Sequence, residues 1–231
     1  MLRGYITKIR TKPPWYMSGL ILVGTVAMLD DLPGQIVSFW FDDAAQSPGH
    51  ARRRDSIWFE RSAEFDLDIE RRFSAAYSGA ARGELHTWSA SPGGGLALIL
   101  LLDQFPRNMF RGTSRAFATD ALALRAAIEL IDSGGDTSLD PLQRLFAYMP
   151  FQHAEDNEMQ ALSLRKNGEL LASVSPDWRE LFEMYYRYAE LHSDIIRRFG
   201  RFPHRNRVLG RQSTPDEMAY LVGGAETFGQ G

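Results

Sequence analysis

From residue 30 onward, apolar residues recur at the three-to-four-residue spacing of helices that bury one face. Trp58, Ser62, Phe65, Ile69, Phe73 and Tyr77 fall on one such face, while Glu64, Asp68 and Arg71 fall elsewhere. Leu96 to Leu102 is apolar all round, which predicts a central helix. A loop over Ser91-Pro92-Gly93-Gly94-Gly95 should precede it, and Pro106 should end or kink it. Phe117, Ala121, Leu124, Ile128 and Ile131 form the next stripe, which stops at Gly134-Gly135. Asp140-Pro141 and Ser175-Pro176 each place a capping residue before a proline at the first helical position. The second pair starts the longest helix, with Trp178, Phe182, Tyr185, Ala189, His192, Ile196 and Phe199 in register. Thr214-Pro215-Asp216-Glu217 is a capping box that opens the last helix. No run alternates with the period of two that a half-buried strand requires. The pattern predicts an all-α fold of seven to nine helices in a single domain, stacked as antiparallel pairs in a bundle or short helical solenoid.

Composition narrows the reading. A chain of 231 residues that is 44% hydrophobic can bury the core of one ordinary soluble domain, and its 14 Phe, 8 Tyr and 5 Trp supply large apolar area per residue. The absence of cysteine excludes disulfides, thiolate metal sites and cysteine nucleophiles, and it suits a reducing, cytoplasmic setting. A net charge of -3 argues against general nucleic-acid binding. Near the amino terminus, Arg3, Lys8, Arg10 and Lys12 precede an apolar run from Leu20 to Leu29, in the manner of a signal peptide. That run is too short to span a bilayer, so no integral membrane segment is expected. Thr25 and Ala27 make a poor cleavage site, so residues 1–27 are read as a poorly ordered or mis-assigned extension before Met28, with export the lesser reading. Residues 28–231 then form the helical domain.

Three polar clusters interrupt the apolar pattern. The first follows the most hydrophobic helix, at Asp103-Gln104-Phe105-Pro106-Arg107-Asn108-Met109-Phe110-Arg111. Arg107 and Arg111 offer planar forks for a carboxylate or phosphate, with Asn108 beside them. The plainer reading is that Asp103 pairs with one of them and ties down the loop. The second is His153-Ala154-Glu155-Asp156, assigned to the start of a helix after Met149-Pro150. A histidine beside carboxylates can serve as a general base with its orienting acid, although the spacing is no metal signature. Glu155 shares a helical face with Met159 and Leu162, which turns it inward.

The third cluster is Arg197 to Arg211, which packs six arginines and His204 without a single acid. Arg198, Arg201, His204, Arg205, Asn206 and Arg211 can ring an anion, with Gly200, Pro203 and Gly210 holding a compact loop. A surface loop binding RNA phosphate is the alternative, but Phe199 continues the core stripe and Thr214 caps a helix. The segment therefore reads as a pinned connection facing inward. His192 sits in the same stripe, where a lone histidine is more often a satisfied core residue than a catalyst.

Taken together, Phe39-Trp40-Phe41, Trp58-Phe59, Leu101 to Asn108, Phe117-Ala118-Thr119-Asp120, Met149 to Asp156, Arg198 to Asn206 and Leu209 to Thr214 resemble the bacterial "domain of unknown function 924" family. The resemblance is collinear from about Met28 to Phe228. It implies an all-helical, tetratricopeptide-like fold and carries no established activity, cofactor or partner. The leading functional expectation is a small-molecule binder or enzyme acting on a phosphate or carboxylate. Arg107, Asn108, Arg111, Arg201, Arg205 and Asn206 would hold the anion, and His153 or His204 would move protons with Glu155 as orienter. A helical interaction module taking a peptide carboxylate is the alternative, and a buried ionic network without ligand is the third reading.

Overall fold

The computed structural model describes residues 31–229, so the expected extension over residues 1–27, with its apolar run, lies outside the described residues. Nine α-helices account for the described architecture: α1 (Leu32–Phe41), α2 (Pro48–Phe59), α3 (Ala63–Ala81), α4, α5 (Asp120–Asp132), α6 (Pro141–His153), α7 (Asn157–Ser173), α8 (Pro176–Phe199) and α9 (Pro215–Val222). The fourth, α4, is continuous but composite: α-helical over Pro92–Ile99, π-helical over Leu100–Gln104 and α-helical again over Phe105–Met109. The fold is all-α, as the periodicity predicts. From α3 onward successive helices pack on one another, α4 on α5, α5 on α6, α6 on α7 and α7 on α8. No helix among the described residues is long and apolar enough to cross a membrane.

Aromatic side chains fill the centre. Trp40, Phe105, Phe146 and Phe151 are fully buried. Trp40 meets the edge of Phe146 at 5.5 Å between ring centroids, and Trp58 meets Phe146 at 4.8 Å. Such edge contacts add about 0.5–1.5 kcal/mol each beyond the area they bury. The carboxyl end of α1 leaves backbone carbonyls without helical partners. The Trp58 indole N–H and Arg54 Nε both donate to the Trp40 carbonyl, at 2.9 and 3.0 Å, and so lock α2 onto that end.

Several sequence expectations are revised by packing. The stripe from Trp58 to Tyr77 crosses a break, because Ser62 is the N-cap of α3 and accepts from the Phe65 N–H. Residues Gly93–Gly95 are the first turn of α4 rather than loop, with Ser91 capping and Pro92 at the first position. They are glycine because α4 starts hard against the preceding turn: a Cβ on Gly94 would lie 2.1 Å from the Trp88 carbonyl oxygen. In α5 the buried face is Ala123, Ala126, Ala127 and Leu130, not the larger Ala121, Leu124 and Ile128 row. Small residues let α5 approach α4, where a Cβ on Gly95 would already press on Leu130 Cδ1 at 3.3 Å.

Pro106 neither ends nor breaks α4, and the π-helical turn explains why. The Phe105 N–H reaches Leu100, and Pro106 has no N–H for the Leu102 carbonyl. That carbonyl instead accepts the buried Thr119 hydroxyl at 2.6 Å, and the Asp103 carbonyl accepts Arg107 Nη1 at 2.6 Å. The Thr119 side chain thus replaces the helical bond that Pro106 cannot make, and Asp103 in the π-helical turn lies in the interior.

The glycine run makes a paired test. A Cβ on Gly93 meets nothing within 4 Å, so Gly93→Ala should gain about 0.5–1 kcal/mol in urea unfolding through lower unfolded-state entropy. Gly94→Ala should instead lose at least about 2 kcal/mol, since backbone, not a movable side chain, opposes the methyl group. Equal effects at the two positions would contradict the close approach of α4 to Trp88.

Candidate functional site

The π-helical turn of α4, the end of α6, the middle of α8 and the segment after α8 surround a cavity of about 160 Å³. Six of the nine residues singled out from sequence line it: Arg107, Asn108, Arg111, His153, His204 and Arg205. Asp103 is the group behind them. Its carboxylate is fully buried, accepts His153 Nδ1 at 2.8 and 3.0 Å, and lies 3.2 Å from Arg107 Nη1. Gln104 Nε2 donates to it as well. Burial alone would raise the Asp103 pKa, but Arg107 and His153 outweigh it and hold the group at about 2. An ionised carboxylate only accepts, so Nδ1 of His153 carries the proton and Nε2 is the lone-pair nitrogen. Burial and the Arg107 charge keep that imidazole neutral, its pKa pushed below the usual histidine value despite Asp103.

The arginines are ordered by one further acid. Asp120, the first residue of α5, receives Arg107 through two bonds of 2.9 and 3.1 Å and Arg205 through one of 3.2 Å. Arg107 is held firmly charged because Asp103 and Asp120 together overcome its burial. Arg205 is less well compensated. Its guanidinium is stacked between Phe117 at 4.6 Å and Phe202 at 4.4 Å, and its buried Nε–H has no partner among the described residues. Burial pushes its pKa down to about 10 even with Asp120 in contact. His204 carries a buried Nδ1 that is likewise unpartnered among the described residues, and burial together with Arg205 and Arg107 pushes its pKa down to about 3.

His192, assigned from sequence to the core, is buried as expected but also lines the cavity. It donates Nδ1–H to the Tyr188 carbonyl at 2.7 Å, and burial, then His153, drives its pKa well below the usual value. Trp58, Phe59, Phe117, Tyr185 and Tyr188 complete an aromatic wall. At one side Asp66 of α3 receives Asn108 at 2.7 Å and both Nε and Nη2 of Arg111 at 3.2 Å. Among the described residues no three histidine or acidic side chains are placed to hold a metal ion.

The other three candidates, Glu155, Arg201 and Asn206, stand apart from the cavity wall. Helix α6 runs through Pro150 and ends at His153, so His153 turns toward α4 while the extended backbone at Ala154 carries Glu155 away. Glu155 is therefore in a connection, not on the face of a helix with Met159 and Leu162, and Asp103 rather than Glu155 orients His153. Glu155 accepts Arg211 Nη1 at 2.6 Å, Nη2 at 2.9 Å and the Phe202 N–H at 2.8 Å. Asn206 bridges Arg211 to Glu217, and Arg201 forks onto Glu217 at 2.6 and 2.8 Å. This clamp fastens the segment after α8 to the α6–α7 connection and to the first turn of α9. Sequence spacing carried no sign that Asp103 would meet His153, or that Phe228 near the end of the chain would enter the cavity.

Residues 36–225 match the family described as "Bacterial protein of unknown function (DUF924)". That match lies within the span from Met28 to Phe228 suggested by the sequence. The chain is similar to a solved structure of a protein of unknown function, ATU0120 from Agrobacterium tumefaciens, at 41% identity and a TM-score of 0.72. The similarity covers 84% of this chain and 99% of that one. No curated protein matches the chain.

The three neutral histidines give stability a direction with pH. His153, His192 and His204 all have depressed pKa values in the fold, so the unfolded chain binds protons first as pH falls below 6.5. Stability should therefore drop on acidification from pH 7 to 5, by roughly 1 kcal/mol per pH unit for each histidine kept neutral. Guanidinium unfolding across this range checks it, and His204→Gln should flatten the slope by one histidine's share. A pH-independent stability between 5 and 7 would rule out neutral, buried imidazoles.

Proposed function

The chain belongs to the bacterial DUF924 family, and from the geometry of its cavity we propose that it binds a small molecule bearing a carboxylate or phosphate, with His153 as general base. The observation that carries this reading is Arg205: a buried, aromatic-stacked guanidinium on the cavity wall that has, among the described residues, an unpartnered N–H and one bond to its counter-ion Asp120. A buried cation is costly unless paired and hydrogen-bonded, so an anion placed against it would regain what burial removes. The depressed histidines agree with this sign: burial is the larger cause, but Arg107 at His153, and Arg205 and Arg107 at His204, add to it by disfavouring a second positive charge nearby.

Catalytic competence would rest on the Asp103–His153 pair. Asp103 fixes the ring and its tautomer, and Nε2 of a neutral imidazole is suited to take a proton from a substrate hydroxyl or water. The cavity size favours a small ligand over the alternative of a tetratricopeptide-like module binding a peptide end. A space of about 160 Å³ is close to what a benzene-sized guest needs, and far below the needs of a peptide.

Thermal denaturation with acetate and inorganic phosphate tests the anion. An anion at ~100 times its Kd should add about 2.7 kcal/mol to the wild-type protein. Arg205→Met, which keeps the stack between Phe117 and Phe202 but removes the charge, should abolish the gain. Persistence of the shift in that variant, or no shift with any anion, would sink the reading. Nitrogen NMR of the imidazoles tests the base: at neutral pH His153 should carry its proton on Nδ1, and Asp103→Asn should remove that preference.

A further inference from the structure

The last described segment of the chain, after α9, passes through this same cavity. Glu226, Phe228 and Gly229 line it, and Arg111 Nη1 holds the Gly229 carbonyl at 2.7 Å. The Phe228 ring lies flat on His192, with centroids 3.6 Å apart and planes 23° from parallel. His204 and Phe202 meet it edge-on, at 5.8 and 6.4 Å. Three rings thus form a slot for a flat aromatic group, and Phe202 is also one face of the Arg205 stack.

The backbone at Phe228 is held in an unfavourable shape. Its φ of +51° is left-handed, a region that a bulky L-residue adopts only under constraint. No regular element fixes it, since residues 225–229 belong to no helix. The contact with His192 is therefore what the strap gains in return. The strap fills the ring slot with Phe228, while Glu226 at its edge is exposed and accepts the Phe228 N–H at 3.4 Å. The slot and under-compensated Arg205 belong to one cavity, as an aryl group joined to an anion would require.

We propose that Phe228 stands in for the ring of this cavity's ligand, which is an aryl carboxylate or aryl phosphate, and that binding displaces the strap. This inference rests on the anion-site reading above and adds the aryl group and the competition. A ring leaving the slot opens space for one of equal size, while the anion reaches Arg205. Because the strap is covalently attached, it competes at high effective concentration and lowers the apparent affinity for every ligand of the site.

Calorimetric titration of the full chain with benzoate, phenyl phosphate, acetate, inorganic phosphate and benzyl alcohol tests it. The aryl anions should bind at least about tenfold tighter than acetate, phosphate or the neutral alcohol. Phe228→Ala should tighten aryl-anion binding by about tenfold, through removal of the competitor. Benzoate compared with phenyl phosphate then tells which anion the site prefers. A second measurement does not depend on a truncated side chain: with 4-fluorophenylalanine at position 228, saturating benzoate should move the fluorine resonance to that of a solvent-exposed ring. Small anions binding as tightly as aryl ones, or an unchanged fluorine signal under saturating benzoate, would overturn the aryl ligand and leave the anion site standing. Failure of every anion to bind both wild type and Phe228→Ala would overturn the anion site itself.

Discussion

The buried carboxylate of Asp103 is the constraint on which this architecture turns. A carboxylate taken fully out of water costs several kcal/mol unless its lone pairs are met by strong donors. Here His153, Arg107 and Gln104 meet them, drawn from α6 and from α4 itself. Each satisfied bond fixes something else. Arg107 extends the network to Asp120 on α5, and Asp120 extends it to Arg205 beyond α8. One acid therefore determines where the ends of three helices and the following segment must lie.

The π-helical turn makes this possible. In an unbroken α-helix the residues around Asp103 would continue the apolar surface of Leu96–Leu102. Pro106, just beyond the wider turn, frees the Leu102 carbonyl, which the Thr119 hydroxyl then occupies. A local defect in helical bonding is exchanged for a tertiary bond of comparable strength. Gln104 and Arg107 of the same stretch line the cavity, so a proline that ought to interrupt the helix sits inside the segment that supplies part of the cavity wall.

The arginine-rich segment divides by role. Arg201 and Arg211 join Glu217 and Glu155 in the clamp that pins the loop, while Arg205 alone of the six arginines there enters the cavity. Gly200, at φ +71°, ends α8 in the left-handed conformation and begins the reversal that separates them. Charge density in a sequence thus marks a place where acids must be found. Which arginine is left under-compensated depends on how many acids each can reach.

Local rules carried much of this chain. The cap at Asp140, the capping box at Thr214, the proline starts of α6 and α8 and the buried stripe of α8 follow from short-range spacing, and they were legible for that reason. The clusters at Asp103–Arg111, His153–Asp156 and Arg197–Arg211 were legible too, as polar groups where apolar ones were due. The face that α5 buries was not, because close packing against Gly95 chose alanines over the larger stripe. Nor was the division of site residues, since Glu155 and His153, two positions apart, part company where α6 ends. By itself the sequence determined the helices, their caps and the segments rich in chemistry, because those depend on neighbours within a few residues. Only the tertiary structure decided that Asp103 would meet His153 across fifty residues, that Arg205 would lack a full set of partners among the described residues and that Phe228 would lie against His192. Such pairings arise from competition among distant groups for the same buried space, and no local pattern records its outcome.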